Sequence, residues 1–238
     1  MYGFGTLVNM AAIVCGGILG AVFGRYIKAR WQEGLLKAIA LCCLFIGING
    51  AVEAVFCVEG QSLRSSGTLL CILSYAIGTF MGEVLDLEGW IVRFGNWIKT
   101  KTGNASDRGF VNAFVTASLT VCIGAMAVIG ALDDALRANC TVLYAKSVMD
   151  FIIIMIMAGT LGKGALFAFI PVGLFQGSVT VFAYLIEPIM TPAALTSIAM
   201  TGSMMIFCIG VNLLKPSVFR VANMLPALVV AVFFSAWL

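Results

Sequence analysis

Apolar runs fill most of the chain, and short polar stretches interrupt them at regular intervals. The runs approach the length of about 20 residues that a helix needs to cross a hydrocarbon core of about 30 Å. Eight candidate spans follow: 6–25, 35–56, 67–85, 110–132, 143–162, 164–186, 194–214 and 219–238. The hairpin from 143 to 186 turns only at Gly162-Lys163-Gly164, and Pro226 can interrupt the last span, so a seven-helix reading stays open. Between the third and fourth spans the period changes. Leu87, Trp90, Ile91, Phe94, Trp97 and Ile98 recur at helical spacing, with Glu88, Arg93, Asn96 and Lys99 on the other face. This predicts an amphipathic helix over 87–99 with tryptophans at headgroup depth, a packing helix being the alternative. Residues 100–108 form a hydrophilic linker.

Composition agrees with the pattern. Of 238 residues, 61% are hydrophobic and 11% are charged, against about 25% charged in soluble domains. Mean hydropathy is +1.07. The expected fold is therefore all-α: one polytopic transmembrane helical bundle over 1–238, with membrane lipids as its surroundings. No basic n-region precedes the first apolar run and no small-residue cleavage site ends it, so this segment is expected to stay as a helix. A net charge of +3, with no basic tail, gives no reason to expect a nucleic-acid partner.

Basic residues set the orientation. Arg25, Lys28, Arg30 and Lys37 fill the first loop, and Arg93, Lys99, Lys101 and Arg108 the third. Lys163 marks the fifth, and Lys215 and Arg220 the seventh, leaving only Arg64, Arg137 and Lys146. The positive-inside rule then places both termini outside the cytoplasm.

Short segments recur. Leu19-Gly20-Ala-Val-Phe-Gly24-Arg25 resembles Ile77-Gly78-Thr-Phe-Met-Gly82-Glu83, and Ile46-Gly47-Ile48-Asn49 resembles Ile209-Gly210-Val211-Asn212. Read as real repetition, spans 3–5 and 6–8 are inverted repeats, an arrangement found in secondary transporters. Chance recurrence of small residues explains the same matches. Gly16, Gly20 and Gly24 line one helix face. Such a face lets helix backbones approach closely, inside one protomer or across a homodimer.

Ionisable groups inside a membrane are costly, so each is a functional candidate. Asp150 precedes a long apolar run, with Lys146 one turn earlier and Ser147 between them. The pair is either a solute or ion site or a neutralised pair that fixes packing. Gln176-Gly177-Ser178 follows Pro171 by one turn, a combination that loosens a helix where it lines a cavity. Counting from the turn at 162–164, Asp150 and Gln176 fall at similar depth, each about 18 Å away by the helical rise. Glu83 can face a cytoplasmic vestibule, and Asn49 and Asn212 occupy matching places in the two Ile-Gly-x-Asn segments. Asp133 and Asp134 are expected to form a solvated cap. The chain holds no histidine, which removes His-based triads and His-ligated metals. The eight cysteines follow no metal or disulfide spacing. HExxH, GxSxG, P-loop and dinucleotide fingerprints are missing. No enzyme activity and no cofactor are expected.

Several segments together resemble one family: Gly5-Thr-Leu-Val-Asn9, Gly82-Glu83-Val-Leu-Asp86-Leu-Glu88-Gly89, Phe114-Val-Thr-Ala-Ser118 with Gly124-Ala-Met-Ala127, Tyr144-Ala-Lys146-Ser147-Val-Met-Asp150, Gln176-Gly-Ser178 and Asn223-Met-Leu-Pro-Ala227. In nearly its whole length the chain resembles the bacterial integral-membrane family known as domain of unknown function 554. The resemblance implies a bacterial inner-membrane protein, often labelled a transport protein, and brings no site residues with it. The expected function is a secondary transporter of a small polar or charged solute or ion. A membrane scaffold or assembly protein is the alternative, and an ion channel the third reading.

The topology is open to direct test. A cysteine placed at position 3 of the chain in intact cells should react with an impermeant thiol reagent from outside. Labelling only after the cytoplasmic side is opened would reverse the orientation.

Overall fold

The computed structural model describes residues 3–24, 26, 28–59, 62–65 and 67–236. Arg25, the last two residues of the eighth candidate span, and the side chains of Cys57 and Arg64 lie outside them. Among the described residues the regular structure is all-helical apart from one short antiparallel hairpin, Phe56–Glu59 with Ser62–Ser65, registered Phe56 to Ser65. The helices are α1 (Phe4–Phe23), α2 (Ala29–Val55), α3 (Thr68–Leu85), α4 (Leu87–Lys101), α5 (Phe110–Cys122) and α6 (Ala125–Arg137). They continue with α7 (Thr141–Thr160), a 3₁₀ turn at Lys163–Ala168, α8 (Phe169–Val181), α9 (Ala183–Ile186), α10 (Pro192–Leu214), α11 (Val221–Met224) and α12 (Pro226–Phe234).

Six helical segments among the described residues are long and apolar enough to span a membrane: α1, α2, α3, α7, Lys163–Val181 and α10. The fourth candidate span is not one straight helix. It breaks between Cys122 and Ala125, and α5 and α6 bend by 62°. Gly124 sits at φ +134°, a conformation closed to side chains with a Cβ, so glycine permits the break. The eighth candidate is the short apolar stretch Val221–Phe234, interrupted before Pro226. Proline lacks the N–H that a continuous helix needs at that point.

Two compact units emerge. The first holds Met1–Ile39, Gly89–Cys122 and Met126–Tyr184; the second holds Ala40–Glu88, Ile123–Ala125 and Leu185–Leu238. These units cut across the division into spans 3–5 and 6–8.

In the first unit, α1 and α7 run parallel in close contact. Gly16 faces the backbone of Phe151, Gly20 that of Met155, and Gly24 that of Gly159. A Cβ on Gly16 would lie 2.5 Å from the Phe151 carbonyl oxygen, and one on Gly24 would lie 2.7 Å from the Gly159 Cα. The glycine face is therefore filled inside the protomer and is not free for a dimer. In the second unit the matching pair Gly78 and Gly82 packs antiparallel on Ala227 and Asn223. Gly47 on α2 faces Phe207 on α10, and Gly210 returns the contact to Leu44. The recurring glycine spacing thus marks helix contacts in both units, parallel in one and antiparallel in the other.

Large side chains point outward instead. Phe45, Phe80 and Val229 are each more than 70% exposed, while the buried set is rich in Gly, Ala, Ser and Thr. Lipid supplies the apolar surroundings that a water-soluble core would have to provide, so shape rather than hydrophobicity selects the interior residues. The amphipathic helix α4 shares its apolar stripe. Ile98 is buried, and Ile91 and Phe94 join it against Phe110 and Phe114. Trp90 and Trp97 remain exposed, with Arg93 stacked 5.0 Å over the Trp90 ring. The packing reading holds for one edge of the stripe, and the tryptophans occupy its exposed edge.

Gly20→Ala should lower stability by about 1–3 kcal/mol, the usual cost of overpacking. Gly177→Ala, where no atom lies within 4 Å of the added methyl, should leave stability unchanged. Detergent unfolding curves of the two variants check this. Equal midpoints would mean that the α1–α7 contact is loose.

Candidate functional site

The α1–α7 contact decides what faces what one to two turns from the glycines. It brings Asn9 of α1 against Asp150 of α7 in the first unit. Asn9 is fully buried, Asp150 is 3% exposed and Lys146 7% exposed. Asn9 Nδ2 donates to Asp150 Oδ2 at 3.0 Å. Its second hydrogen is directed to Gln176 Oε1 on α8, at the longer distance of 3.5 Å. Gln176 is itself buried. Asp150 and Gln176 therefore belong to one interior cluster, as their matched depth predicts, and Asn9 links them.

Lys146 lies one helical turn before Asp150, with Nζ 3.0 Å from both Oδ1 and Oδ2. The i, i+4 spacing that the sequence offers is realised as a buried ion pair. A second bond holds the ammonium: Nζ donates to the Val121 carbonyl at 2.8 Å. Val121 lies in the last turn of α5, immediately before the break. The final carbonyls of a helix have no intrahelical partner and carry the negative end of its dipole. The interrupted span thus turns an orphan carbonyl into a cation ligand.

The cluster is incompletely satisfied. Asn9 Oδ1 and Gln176 Nε2 are buried without a hydrogen-bond partner. The amide orientations follow from Asp150. A carboxylate only accepts, so Asn9 must present its NH₂ there, and Gln176 must present its oxygen to that NH₂. The two remaining amide atoms are thereby left over. Leaving a buried polar group unpaired costs about 1–3 kcal/mol, so an arrangement that does so twice in one cluster points to use.

The other candidates fall elsewhere. Ser147 is buried, and its hydroxyl donates to the Leu143 carbonyl on its own helix. Ser178 is exposed and bonds back to Phe175. Glu83 lies in the second unit, exposed, paired with Arg220 at 2.9 Å. That carboxylate raises the Arg220 guanidinium above its ordinary range. Asn49 is exposed on α2. Asn212 closes the turn after α10: its Nδ2 donates to the Phe219 carbonyl, and its Oδ1 accepts from Val218 and Phe219. Asn49 and Asn212 therefore have different surroundings despite their matching segments. Asn223 is buried and accepts from the Glu88 backbone N–H at 2.7 Å. Partial burial of Glu88 raises its carboxyl above the usual range.

One expectation is overturned. Asp134 is not a solvated cap but a fully buried carboxylate. It accepts from the Gly5 N–H at 2.8 Å and from Cys140 Sγ at 3.3 Å. Gly5 is in the first turn of α1, where N–H groups lack partners and a negative charge is favoured. Asp133 is partly buried and pairs with the exposed Arg137. Asn9 is the site residue that sequence reading passed over. A lone Asn in an apolar helix is usually a packing hydrogen bond, and nothing in the chain links position 9 to position 150. No group of three or more candidate metal ligands occurs among the described residues.

Lys146→Met should destabilise by about 3–5 kcal/mol, because it leaves Asp150 buried without its cation. Adding Asp150→Asn to that variant should recover most of the loss. Unfolding titrations of the two single variants and the double variant measure the coupling. Additive losses would show that the pair does not act as one.

The comparisons with known proteins agree along the whole chain. An uncharacterized membrane protein of Bacillus subtilis, YdfK, is 28% identical over 227 residues, covering 95% of this chain and 93% of that protein. An uncharacterized protein of Escherichia coli, YqgA, is 26% identical over 236 residues, covering 98% and 96%. No solved structure matches. Residues 4–236 match the family described as protein of unknown function, DUF554, and the chain belongs to that family of membrane proteins.

Proposed function

We propose that this protein is a secondary transporter of a small polar or charged solute or ion, working as a multi-pass protein of the bacterial inner membrane with both termini outside. It catalyses no covalent chemistry in this reading. The observation that carries it is the buried cluster of Asp150, Lys146, Asn9 and Gln176. Two of its amide atoms lack partners, and a broken helix supplies one of its ligands.

Three physical points support the reading. Intramembrane charges that face the interior mark substrate and ion pathways more often than they mark packing. Interrupted helices at such charges occur where a site must bind and release, because freed backbone groups serve as ligands. A purely structural pair would gain by having its surrounding amides fully satisfied or replaced by apolar groups, and here they are neither.

Gln176→Leu separates transport from packing. It removes a buried group with an unmet donor and gives up only the long 3.5 Å contact from Asn9 Nδ2, so stability should change little. Saturable, gradient-driven uptake into proteoliposomes should fall at least about tenfold, as loss of a specific polar contact of 1.4 kcal/mol or more implies. A variant that keeps full uptake would exclude Gln176 from the site. Absence of uptake by the unaltered protein across a broad solute panel would favour a scaffold.

A further inference from the structure

We propose that the Asp150 cluster binds a proton and a small monoanion together, the proton on Asp150 and the anion on Lys146. This deepens the transport reading and rests on it for the direction of use. It starts from charge. Lys146 and Asp150 neutralise each other, and both are more than nine-tenths buried. The groups packed around Asp150 leave little else to titrate. Lys146 is on its own helix and Cys122 is near it on α5, while α1 and α8 present the amides Asn9 and Gln176. A buried site tolerates a change of protonation only if its total charge stays near zero. Uptake of one proton by Asp150 leaves Lys146 as an unpaired cation. An anion with a single negative charge restores neutrality.

The hydrogen bonds fit both states. Lys146 has a second ligand, the Val121 carbonyl at 2.8 Å, which holds the ammonium in place when the carboxylate is neutralised. The proton arrives from water and forms an O–H bond on Asp150, which then donates instead of accepting. Asn9 must turn its amide over, so that Oδ1 accepts from that O–H, and Gln176 follows by donating from Nε2 to the same oxygen. The two atoms without partners in the charged state, Asn9 Oδ1 and Gln176 Nε2, are the ones that gain partners. Asn9 Nδ2 and Gln176 Oε1 are released in exchange. Asn9 Nδ2 joins the Lys146 ammonium as a donor for the anion. The same rotation thus registers the proton and builds half of the anion's ligand set.

Two measurements test this on the full-length protein in lipid nanodiscs. In the unaltered protein, infrared pH titration should show a protonated-carboxyl band that is missing in Asp150→Asn, accompanied by a change in the side-chain amide bands. Adding acetate, nitrate or chloride at constant ionic strength should raise the pH at which the band appears. The rise should approach about one unit per tenfold increase in the anion that binds, as reciprocal linkage of one proton to one anion requires. Separately, Asp150→Asn fixes the neutral-carboxyl state. At least one of these anions should stabilise it saturably against heat, and should not stabilise Asp150→Asn with Lys146→Met. A band that none of the three anions moves overturns the proposal, as does an equal thermal response of the single and double variants. Should Asp150→Asn fail to fold, the titration of the unaltered protein decides alone, its band assigned by loss of the amide change in Asn9→Leu. Anion-linked protonation without uptake in proteoliposomes would keep the site and remove the transport reading. Saturable uptake without that linkage would do the reverse.

Discussion

A carboxylate in the hydrocarbon region has to be neutralised where it stands, and much of the first unit can be understood from how Asp150 meets that demand. Its cation comes from its own helix, one turn away, which needs no long-range assembly. Its second partner comes from α1 and exists only because three glycines let α1 lie against α7 backbone to backbone. Replacing that contact with ordinary side-chain packing would move Asn9 outward by ångströms, beyond hydrogen-bond reach. The helix contact and the polar cluster are thus one arrangement.

The same economy governs α5 and α6. A continuous helix through Cys122 would satisfy the Val121 carbonyl internally and leave the Lys146 ammonium with the carboxylate alone. Gly124 at positive φ ends α5 and frees that carbonyl at the depth of the lysine. Buried Asp134 holds the far end of the unit by accepting from the first turn of α1. Carboxylates are here used twice against backbone or side-chain donors of α1, at positions about one turn apart along it. The parallel pairing of α1 with α7 is therefore fixed by polar groups at Gly5 and Asn9 and by close packing from Gly16 to Gly24.

The second unit follows the same packing rule without a buried ion pair among its described residues. Gly78 and Gly82 admit the backbone of α11 and α12, and Gly47 and Gly210 join α2 to α10. Its polar groups serve turns and helix ends: Asn212 closes the loop after α10, Thr191 caps the start of α10 by accepting from Ala194, and Tyr75 donates to the Thr201 carbonyl. The Glu83–Arg220 pair is exposed, so solvent or headgroups screen it and it adds little stability.

The sequence by itself determined that the protein lives in a membrane, where the first, third, fifth and seventh apolar helices begin and end to within a few residues, and that Asp150 and Lys146 are spaced to form a pair. Each of these depends on composition or on spacing along one helix, which are local properties. It also marked the glycine faces, though not their partners, because Gly-x₃-Gly describes one surface of a contact and not the other. Tertiary structure alone decided that Asn9 completes the cluster, that Asp134 is buried, and that Asn212 belongs to a turn. Those outcomes depend on which helices lie side by side. The break at Gly124 lies between these cases. Glycine permits it, but a lone glycine in an apolar run is ordinarily helical, and only its surroundings make the positive φ worth adopting.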